Sequence, residues 1–296
     1  MKNPVFTGAG VAIITPMYED GSVNFDELGR IIEDQITRGT DAIVICGTTG
    51  ECSTMTDEEQ LAAIKFTVDT VNHRVPVIAG AGSNDTLHAA ALARRYEAMG
   101  ADGLLVVTPY YNKANKSGML AHFRTIADGV NIPILLYNVP SRTGCNLLPA
   151  TIEKLAEHPN IAAVKEASGN MSQVVELFAR CGDKIDVYSG EDGLTVPMLA
   201  MGGMGTISVL SNVIPKGAVE MTDAFFAGDL QKAAALQCRY LDLINLLFCE
   251  VNPIPAKAAV SAMGYGKEFI RLPLTPMEEG NRAKLLAEMR KQGVAL

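Results

Sequence analysis

Cysteine and histidine are scarce in this 296-residue sequence, and neither is spaced for metal binding or disulfide pairing. The six cysteines include no C-x-x-C pair, and the four histidines include no H-E-x-x-H motif. Zinc sites and the disulfide frameworks of secreted proteins depend on such groupings. The sequence therefore predicts reduced thiols, a cytoplasmic location and no bound metal.

Long apolar runs and clusters of basic charge are also absent. No apolar run reaches the roughly 18 residues of a membrane span, and the N-terminal stretch lacks the apolar core of a signal peptide. The formal net charge is −8, with no cluster of lysine and arginine. Nucleic-acid binders carry basic patches, so we expect neither a nucleic-acid nor a membrane partner.

Short apolar runs alternate with longer amphipathic segments along most of the chain. The runs are nearly continuous, as in parallel strands that are buried on both faces. About eight such repeats predict a (β/α)8 barrel, the TIM-barrel fold of the α/β class. The predicted strands cover residues 11–14, 42–46, 75–79, 103–107, 133–137, 161–165, 184–189 and 205–209.

Amphipathic segments predict a helix after most of these strands, and further helices follow the last one. The predicted helices cover residues 24–38, 57–71, 86–99, 116–129, 149–157, 171–180, 215–226, 229–248, 255–262 and 277–292. We expect a barrel at residues 1–228 and a C-terminal helical region at 229–296 that packs on it. An open doubly wound sheet is the alternative, but it requires a phosphate loop or a G-x-G-x-x-G motif, and neither is present.

Lys165 ends the sixth predicted strand, at the side of a parallel barrel where active sites lie. Its stem follows the apolar run 161–164, which predicts a desolvated amine with a lowered pKa at the barrel mouth. A neutral amine can condense with a ketone to form an iminium. The alternative is an ordinary lysine paired with a carboxylate such as Glu166.

Other polar side chains follow neighbouring predicted strands. Tyr137 ends the fifth strand and is suited to proton transfer, while Thr48 and Tyr111 offer hydroxyls after the second and fourth. Arg142 follows strand five, and guanidinium binds carboxylates through two hydrogen bonds. The alternatives are amphipathic packing for the tyrosines, turn capping for Thr48 and a surface ion pair for Arg142.

Three motifs resemble the dihydrodipicolinate synthase family, within the pyruvate-dependent class I aldolase-like superfamily. They are Gly-Thr-Thr-Gly-Glu at 47–51, Tyr-Asn-Val-Pro-Ser-Arg-Thr-Gly at 137–144 and Val-Lys-Glu-Ala at 164–167. The similarity continues through 108–112, 205–208 and 252–257, and so covers essentially the whole chain. The motif at 137–144 is the specific one, because relatives such as N-acetylneuraminate lyase lack its Ser-Arg-Thr-Gly part.

The resemblance implies a catalytic role for four residues. Lys165 would form a covalent imine with pyruvate, so no separate cofactor is expected. Tyr137 would donate and accept protons, with Thr48 and Tyr111 as its relay. The residue that matches Tyr111 reaches into a neighbouring subunit in this family, which implies at least a dimer and usually a homotetramer, a dimer of dimers.

The resemblance also implies two substrates, pyruvate and L-aspartate 4-semialdehyde. Thr49 and Ile207 match pyruvate-binding positions, with Gly190 beside them. Arg142 matches the arginine that holds the carboxylate of the aldehyde. The implied reaction is an aldol condensation followed by ring closure, in the diaminopimelate route to lysine.

The sequence departs from the family pattern at the site where free lysine binds and inhibits. The family's lysine-inhibited members have a glutamate where this chain has His88, and histidines where it has Asp57 and Gln60. Losing the carboxylate that would pair with the ammonium of lysine predicts weak or absent inhibition. Two other functions are alternatives: a sialic acid or 2-keto-3-deoxy sugar acid lyase, and a non-catalytic barrel that binds a keto acid.

Overall fold

The computed structural model describes residues 4–296, and its centre is a closed barrel of eight parallel strands in chain order. The last strand pairs with the first, so the sheet has no free edge. The predicted α/β barrel is therefore confirmed. The strands are β1 Gly8–Ala12, β2 Ala42–Ile45, β3 Val77–Gly80, β4 Gly103–Val107, β5 Ile134–Asn138, β6 Ile161–Glu166, β7 Asp186–Ser189 and β8 Gly205–Ser208.

The first strand is the one that sequence reasoning misplaced most. The prediction of 11–14 followed the apolar side chains, whereas β1 begins at Gly8, where the chain pairs with Gly205 of β8. A Cβ atom on Gly205 would lie 2.0 Å from the carbonyl oxygen of Gly8. Barrel closure therefore decides where this strand lies, and Ile13 and Ile14 are buried just beyond its end.

Thirteen helices cover the barrel and continue beyond it within the described residues. They are α1 Phe25–Thr37, α2 Asp57–Val71, α3 Thr86–Ala98, α4 Lys116–Ala127, α5 Pro140–Thr143, α6 Pro149–Leu155, α7 Met171–Cys181, α8 Thr195–Ala200, α9 Pro215–Phe226, α10 Leu230–Arg239, α11 Leu241–Leu246, α12 Ile254–Ala262 and α13 Glu279–Lys291. Local chemistry fixes several ends. At α2, the Thr56 hydroxyl accepts from the Glu59 backbone and the Glu59 carboxylate accepts from the Thr56 backbone.

Two features of the helices differ from the prediction. The short helices α5 and α8 were not predicted, because neither is long enough to show an amphipathic period. The predicted helix at 229–248 is wrong as one element, since Tyr240 ends α10 and precedes α11. The buried Tyr240 lets α10 pack on α9 while α11 packs on α13.

The helices after β8 share an apolar core with the C-terminal side of the barrel. Leu210 and Met221 contact this core from the barrel, and Leu243, Ala259 and Met289 contact it from α11, α12 and α13. The peptide bond Asn252–Pro253, whose isomer the sequence left open, is cis. No helix in residues 4–296 has both the length and the hydropathy to cross a membrane.

Candidate active site

The side chain of Lys165 lies at the C-terminal mouth of the barrel, on the inner face of β6. It is only 5% exposed although it carries an amine. The strand register pairs Lys165 with Tyr137 of β5. Because register partners in a parallel sheet share a face, the two side chains meet, and Nζ lies 4.5 Å from the centre of the Tyr137 ring.

Burial lowers the pKa of Lys165 from the ordinary 10.5 to about 8. The nearby Asp192 carboxylate opposes this effect, the Arg142 guanidinium reinforces it and Glu191 opposes it. Removing an ammonium from water disfavours its charged form. A larger fraction of this amine is therefore neutral near pH 7 than of a lysine amine in water.

Glu166, the alternative partner of Lys165, lies on the opposite face of β6. Its carboxylate accepts hydrogen bonds from Nδ2 of Asn138, at 3.0 Å, and from the backbone of Ser168, at 2.7 Å. Consecutive side chains of a strand point to opposite faces. The two residues therefore cannot form the ion pair that the sequence left open.

Tyr137 is buried beside Lys165, and its phenol is held in the protonated state. Burial raises its pKa to about 12, while the charge of Arg142 and a hydrogen bond with Thr48 act in the opposite direction. A neutral phenol can both donate and accept a proton. Tyr137 therefore presents a neutral hydroxyl at the cavity that Lys165 lines.

A tight loop after β2 carries the two threonines to the same mouth. Thr48 and Thr49 form a short 3-10 turn that ends at Glu51, whose φ is +56°. Thr49 is 4% exposed, and its Oγ1 accepts a hydrogen bond of 2.9 Å from Nδ2 of Asn252. The buried Glu51 pairs with Lys257 of α12, which fixes the end of this loop.

The loop after β5 carries Arg142 on the short helix α5. Asn138 anchors the loop, because its Oδ1 accepts from the backbone of Leu147 at 2.8 Å. Arg142 is exposed and forms no ion pair within residues 4–296, which disfavours the surface ion pair. The guanidinium is therefore free to bind an anion at the mouth.

A cavity of about 550 Å³ joins most of these residues. Thr48, Thr49, Tyr137, Arg142, Lys165 and Gly190 line it, together with Glu191 and the segment 248–252. Gly190 leaves space for the reactive side chain, since a Cβ there would lie 2.9 Å from Cε of Lys165. A second cavity of about 400 Å³ also contacts Thr48 and Arg142 and is lined by Asp57, Gln60 and His88.

Two predicted site residues lie apart from the cavity wall. Ile207 is 1% exposed and belongs to the same cluster of buried apolar side chains as Tyr137. Tyr111 is 89% exposed, with a φ of +72°, and lines neither cavity of its own subunit. The four predicted catalytic residues are thus not all brought together within one chain.

The structure adds three residues whose role at the site the sequence did not reveal. Glu191 and Asp192 follow β7, and their place at a strand end was the only signal for them. The buried Asp192 accepts hydrogen bonds of 2.9 Å from the backbones of Val209 and Leu210, so it joins the ends of β7 and β8. Asn252 lies in the segment 252–257 that resembles the family, but the motif gave no sign of a role for it at the site.

Residues 4–296 contain no group of three or more histidine, cysteine, aspartate and glutamate side chains that could hold a metal ion. The groups that the site offers around one cavity are a buried amine, a neutral phenol and an exposed guanidinium. A buried amine at the mouth of a parallel barrel is the arrangement expected of a Schiff-base-forming enzyme of the class I aldolase type.

Comparisons with known proteins identify the family within this class. The sequence profile of the Dihydrodipicolinate synthetase family matches residues 5–292. The 4-hydroxy-tetrahydrodipicolinate synthase of Geobacter sulfurreducens is 52% identical over 287 residues, covering 97% of this chain and 99% of its own. That of Acetivibrio thermocellus is 52% identical over 294 residues, covering 99% and 100%.

A solved structure agrees with these sequences. The dihydrodipicolinate synthase from Acinetobacter baumannii, described as chloride inhibited and complexed with pyruvate, superposes with a TM-score of 0.96 at 42% identity. The match covers 98% of this chain and 99% of that one. The chain belongs to the Dihydrodipicolinate synthetase family.

Proposed function

We propose that this protein condenses pyruvate with L-aspartate 4-semialdehyde to form 4-hydroxy-tetrahydrodipicolinate, through a covalent imine of pyruvate on Lys165. The buried amine of Lys165, with a pKa of about 8 beside the phenol of Tyr137, is the observation that carries the proposal. Relatives named for this product match nearly the full chain. The reaction would serve the diaminopimelate route to lysine in the cytoplasm.

The first half of the proposed reaction binds pyruvate to the enzyme. The neutral amine of Lys165 attacks the keto carbon, and the oxygen leaves as water after it has gained one proton from the amine and one from Tyr137. The resulting iminium withdraws electrons from the methyl group. Loss of a methyl proton to the Tyr137 phenolate then gives an enamine and restores the phenol.

The second half forms a carbon–carbon bond and releases the enzyme. The enamine attacks the aldehyde carbon, which regenerates an iminium, and Tyr137 donates a proton to the new alkoxide to give a hydroxyl. The amine of the substrate then attacks the iminium carbon. As the ring closes, one proton of that amine passes to the departing amine of Lys165 and a second passes to the Tyr137 phenolate. No separate cofactor takes part.

The cavity walls suggest how the two substrates are held. Thr49 and Gly190 would bind the pyruvate carboxylate, and Ile207 would support it from the barrel interior. The exposed guanidinium of Arg142 would hold the carboxylate of the aldehyde through two hydrogen bonds. A substrate lacking this carboxylate would leave Arg142 unpaired.

Tyr111 supports the proposal that the active unit is an oligomer. Its ring is 89% exposed and outside its own cavity, although it completes the predicted relay of Thr48 and Tyr137. A second subunit that inserts its Tyr111 would supply the missing hydroxyl. We therefore propose at least a dimer, and a homotetramer as the full assembly.

Borohydride reduction in the presence of pyruvate tests the covalent step. We expect one stable pyruvate-derived adduct per chain, located on Lys165 by peptide mass spectrometry, and none with Lys165→Ala. An unmodified wild-type chain would exclude the Schiff base.

Turnover with two kinds of substrate tests the acceptor. Pyruvate consumption should require L-aspartate 4-semialdehyde, and Arg142→Gln should raise the KM of that aldehyde more than that of pyruvate. Release of pyruvate from sialic acid or a 2-keto-3-deoxy sugar acid would favour a lyase instead. Trapping without any turnover would favour the non-catalytic barrel.

A further inference from the structure

We infer that Asn252 is a positioning residue, which orients the hydroxyl of Thr49 toward the carboxylate of the bound keto acid. This inference rests on the proposed function, in which Thr49 binds pyruvate. Asn252 lies between α11 and α12, 203 residues from its partner along the chain. Both residues line the cavity that contains Lys165.

The hydrogen bond between these residues is enclosed by protein. Asn252 and Thr49 are each 4% exposed, and Nδ2 donates to Oγ1 across 2.9 Å. A threonine hydroxyl has one proton to donate and two lone pairs that accept. Because the amide occupies a lone pair, the hydroxyl proton must point elsewhere, and the open direction is the cavity.

A hydroxyl proton fixed in this way is a prepared donor for an anion. A free hydroxyl rotates among several directions and must be ordered when substrate binds. A donor that is already oriented needs no such reorganisation. The carboxylate of the keto acid, which is bonded to the keto carbon that Lys165 would attack, is the acceptor that this hydroxyl would meet in the cavity.

The other half of the Asn252 amide supports a role in the site rather than in stability. Its Oδ1 is buried and accepts no hydrogen bond within residues 4–296. A buried acceptor without a partner destabilises the fold. The energetic cost of this unpaired oxygen is explained if the Nδ2 group of Asn252 is needed at the cavity wall to hold the Thr49 hydroxyl.

The loop that carries Thr49 has separate anchors, which makes the inference testable. Glu51 pairs with Lys257, and its Oε2 accepts from the backbone of Arg271 at 3.1 Å. These contacts do not involve Asn252. Removing the amide should therefore free the Thr49 hydroxyl without moving the loop.

The test compares Asn252→Leu, Asn252→Asp, Thr49→Val and the double variant Asn252→Leu/Thr49→Val. A lost hydrogen bond to a charged group weakens binding by about tenfold or more, so we expect Thr49→Val to raise the pyruvate KM about tenfold and Asn252→Leu about fivefold. The double variant should match Thr49→Val alone, because Asn252 acts through that hydroxyl. The KM for the aldehyde should stay within about twofold.

The isosteric variant Asn252→Asp tests the direction of the hydrogen bond. A carboxylate would accept the Thr49 proton instead of donating to it, and would repel the keto acid. We expect a larger rise in pyruvate KM than with leucine. Gln35→Leu is the matched control for Asn252→Leu. The buried amide of Gln35 also bonds a threonine hydroxyl, since its Oε1 accepts from Oγ1 of Thr40 at 2.7 Å, but this pair lies outside the cavity.

If the wild-type chain traps pyruvate, the results with these variants test the role of Asn252 separately from the proposed function. Additive effects in the double variant, equal rises in both KM values, or a normal pyruvate KM in Asn252→Asp would overturn the inference. If leucine unfolds the chain in a thermal melt, the isosteric aspartate variant still decides. Failure of the wild type to trap pyruvate would instead refute the proposed function.

Discussion

The pH dependence of imine formation tests the electrostatics of the site most directly. Burial lowers the pKa of Lys165 from 10.5 to about 8. This change corresponds to about 3 kcal/mol of preference for the neutral amine. At pH 7, roughly one amine in ten is neutral, against about one in three thousand for a lysine in water.

Only the neutral amine attacks a ketone, so the rate of imine formation should rise with pH and level off above about 8. Below that value, each pH unit should slow the reaction about tenfold. The assay is a single turnover with excess pyruvate, quenched with borohydride at set times and read by intact mass. A rate that still rises steeply at pH 10 would refute the lowered pKa of Lys165.

Two variants at the cavity mouth should move this pH profile in opposite directions. The carboxylate of Glu191 raises the pKa of Lys165, whereas the guanidinium of Arg142 lowers it. Glu191→Gln should therefore shift the rising limb to lower pH, and Arg142→Gln should shift it to higher pH. Glu157→Gln, an exposed change outside the cavity, is the control. Shifts in the same direction would show that these charges do not act on the amine as inferred.

Three further predictions follow from the site. Gly190→Ala should slow imine formation at least about tenfold, because a Cβ would lie 2.9 Å from Cε of Lys165 and the lysine side chain must shift; misplacement of a reacting group by about 1 Å can slow a reaction about a hundredfold. Gly280→Ala, where nothing lies within 4 Å of the added Cβ, is the control and should react at the normal rate. Normal rates in both variants would contradict this account. Mixed oligomers of Tyr111→Phe and Lys165→Ala subunits should recover activity that neither variant has, because one intact site can form across the interface; a mixture with no more activity than its parts would argue against a shared site. Millimolar lysine should inhibit initial rates weakly or not at all, because His88 offers no carboxylate to an ammonium group and its Nε2 lies 3.4 Å from Oδ1 of Asp57. Strong inhibition by lysine would disprove this prediction.

The structure adds a second physical reason for the prediction of weak lysine inhibition. In the second cavity, Gln60 is already committed to protein partners. Its Oε1 accepts from the hydroxyl of Tyr96 at 3.0 Å, and its Nε2 donates to the carbonyl oxygens of Cys52 and Met55. Its amide is therefore not free to hold a ligand without breaking buried hydrogen bonds.

Local patterns in the sequence were sufficient for most of the fold. Most strands coincide with short apolar runs and most helices carry an amphipathic period, so the positions of these elements follow largely from neighbouring residues. The errors lie where distant residues decide. The strand β1 begins at Gly8, before the predicted start, because it pairs with β8 at Gly205. The predicted single helix around Tyr240 is two helices, α10 and α11, which pack on different neighbours. The division of the chain at residue 228 stays a prediction.

The site was predictable to the extent that it follows strand ends. Lys165, Tyr137, Thr48 and Arg142 were found because parallel strands bring their C-terminal ends to one rim. Sequence alone left the partner of Lys165 open, and Glu166 was a reasonable candidate. The structure excludes that pair, because the strand turns the two side chains to opposite faces.

The sequence by itself determined the barrel, the lysine at its mouth and the family, because these depend on local periodicity and on continuous motifs. Only the tertiary structure decided the chemical state of that lysine. Burial lowers its pKa, the charge of Arg142 lowers it further, and the charges of Asp192 and Glu191 oppose this effect; all three charged residues come from other strand ends. The contact of Asn252 with Thr49 joins residues 203 positions apart, and no local pattern records such a distance.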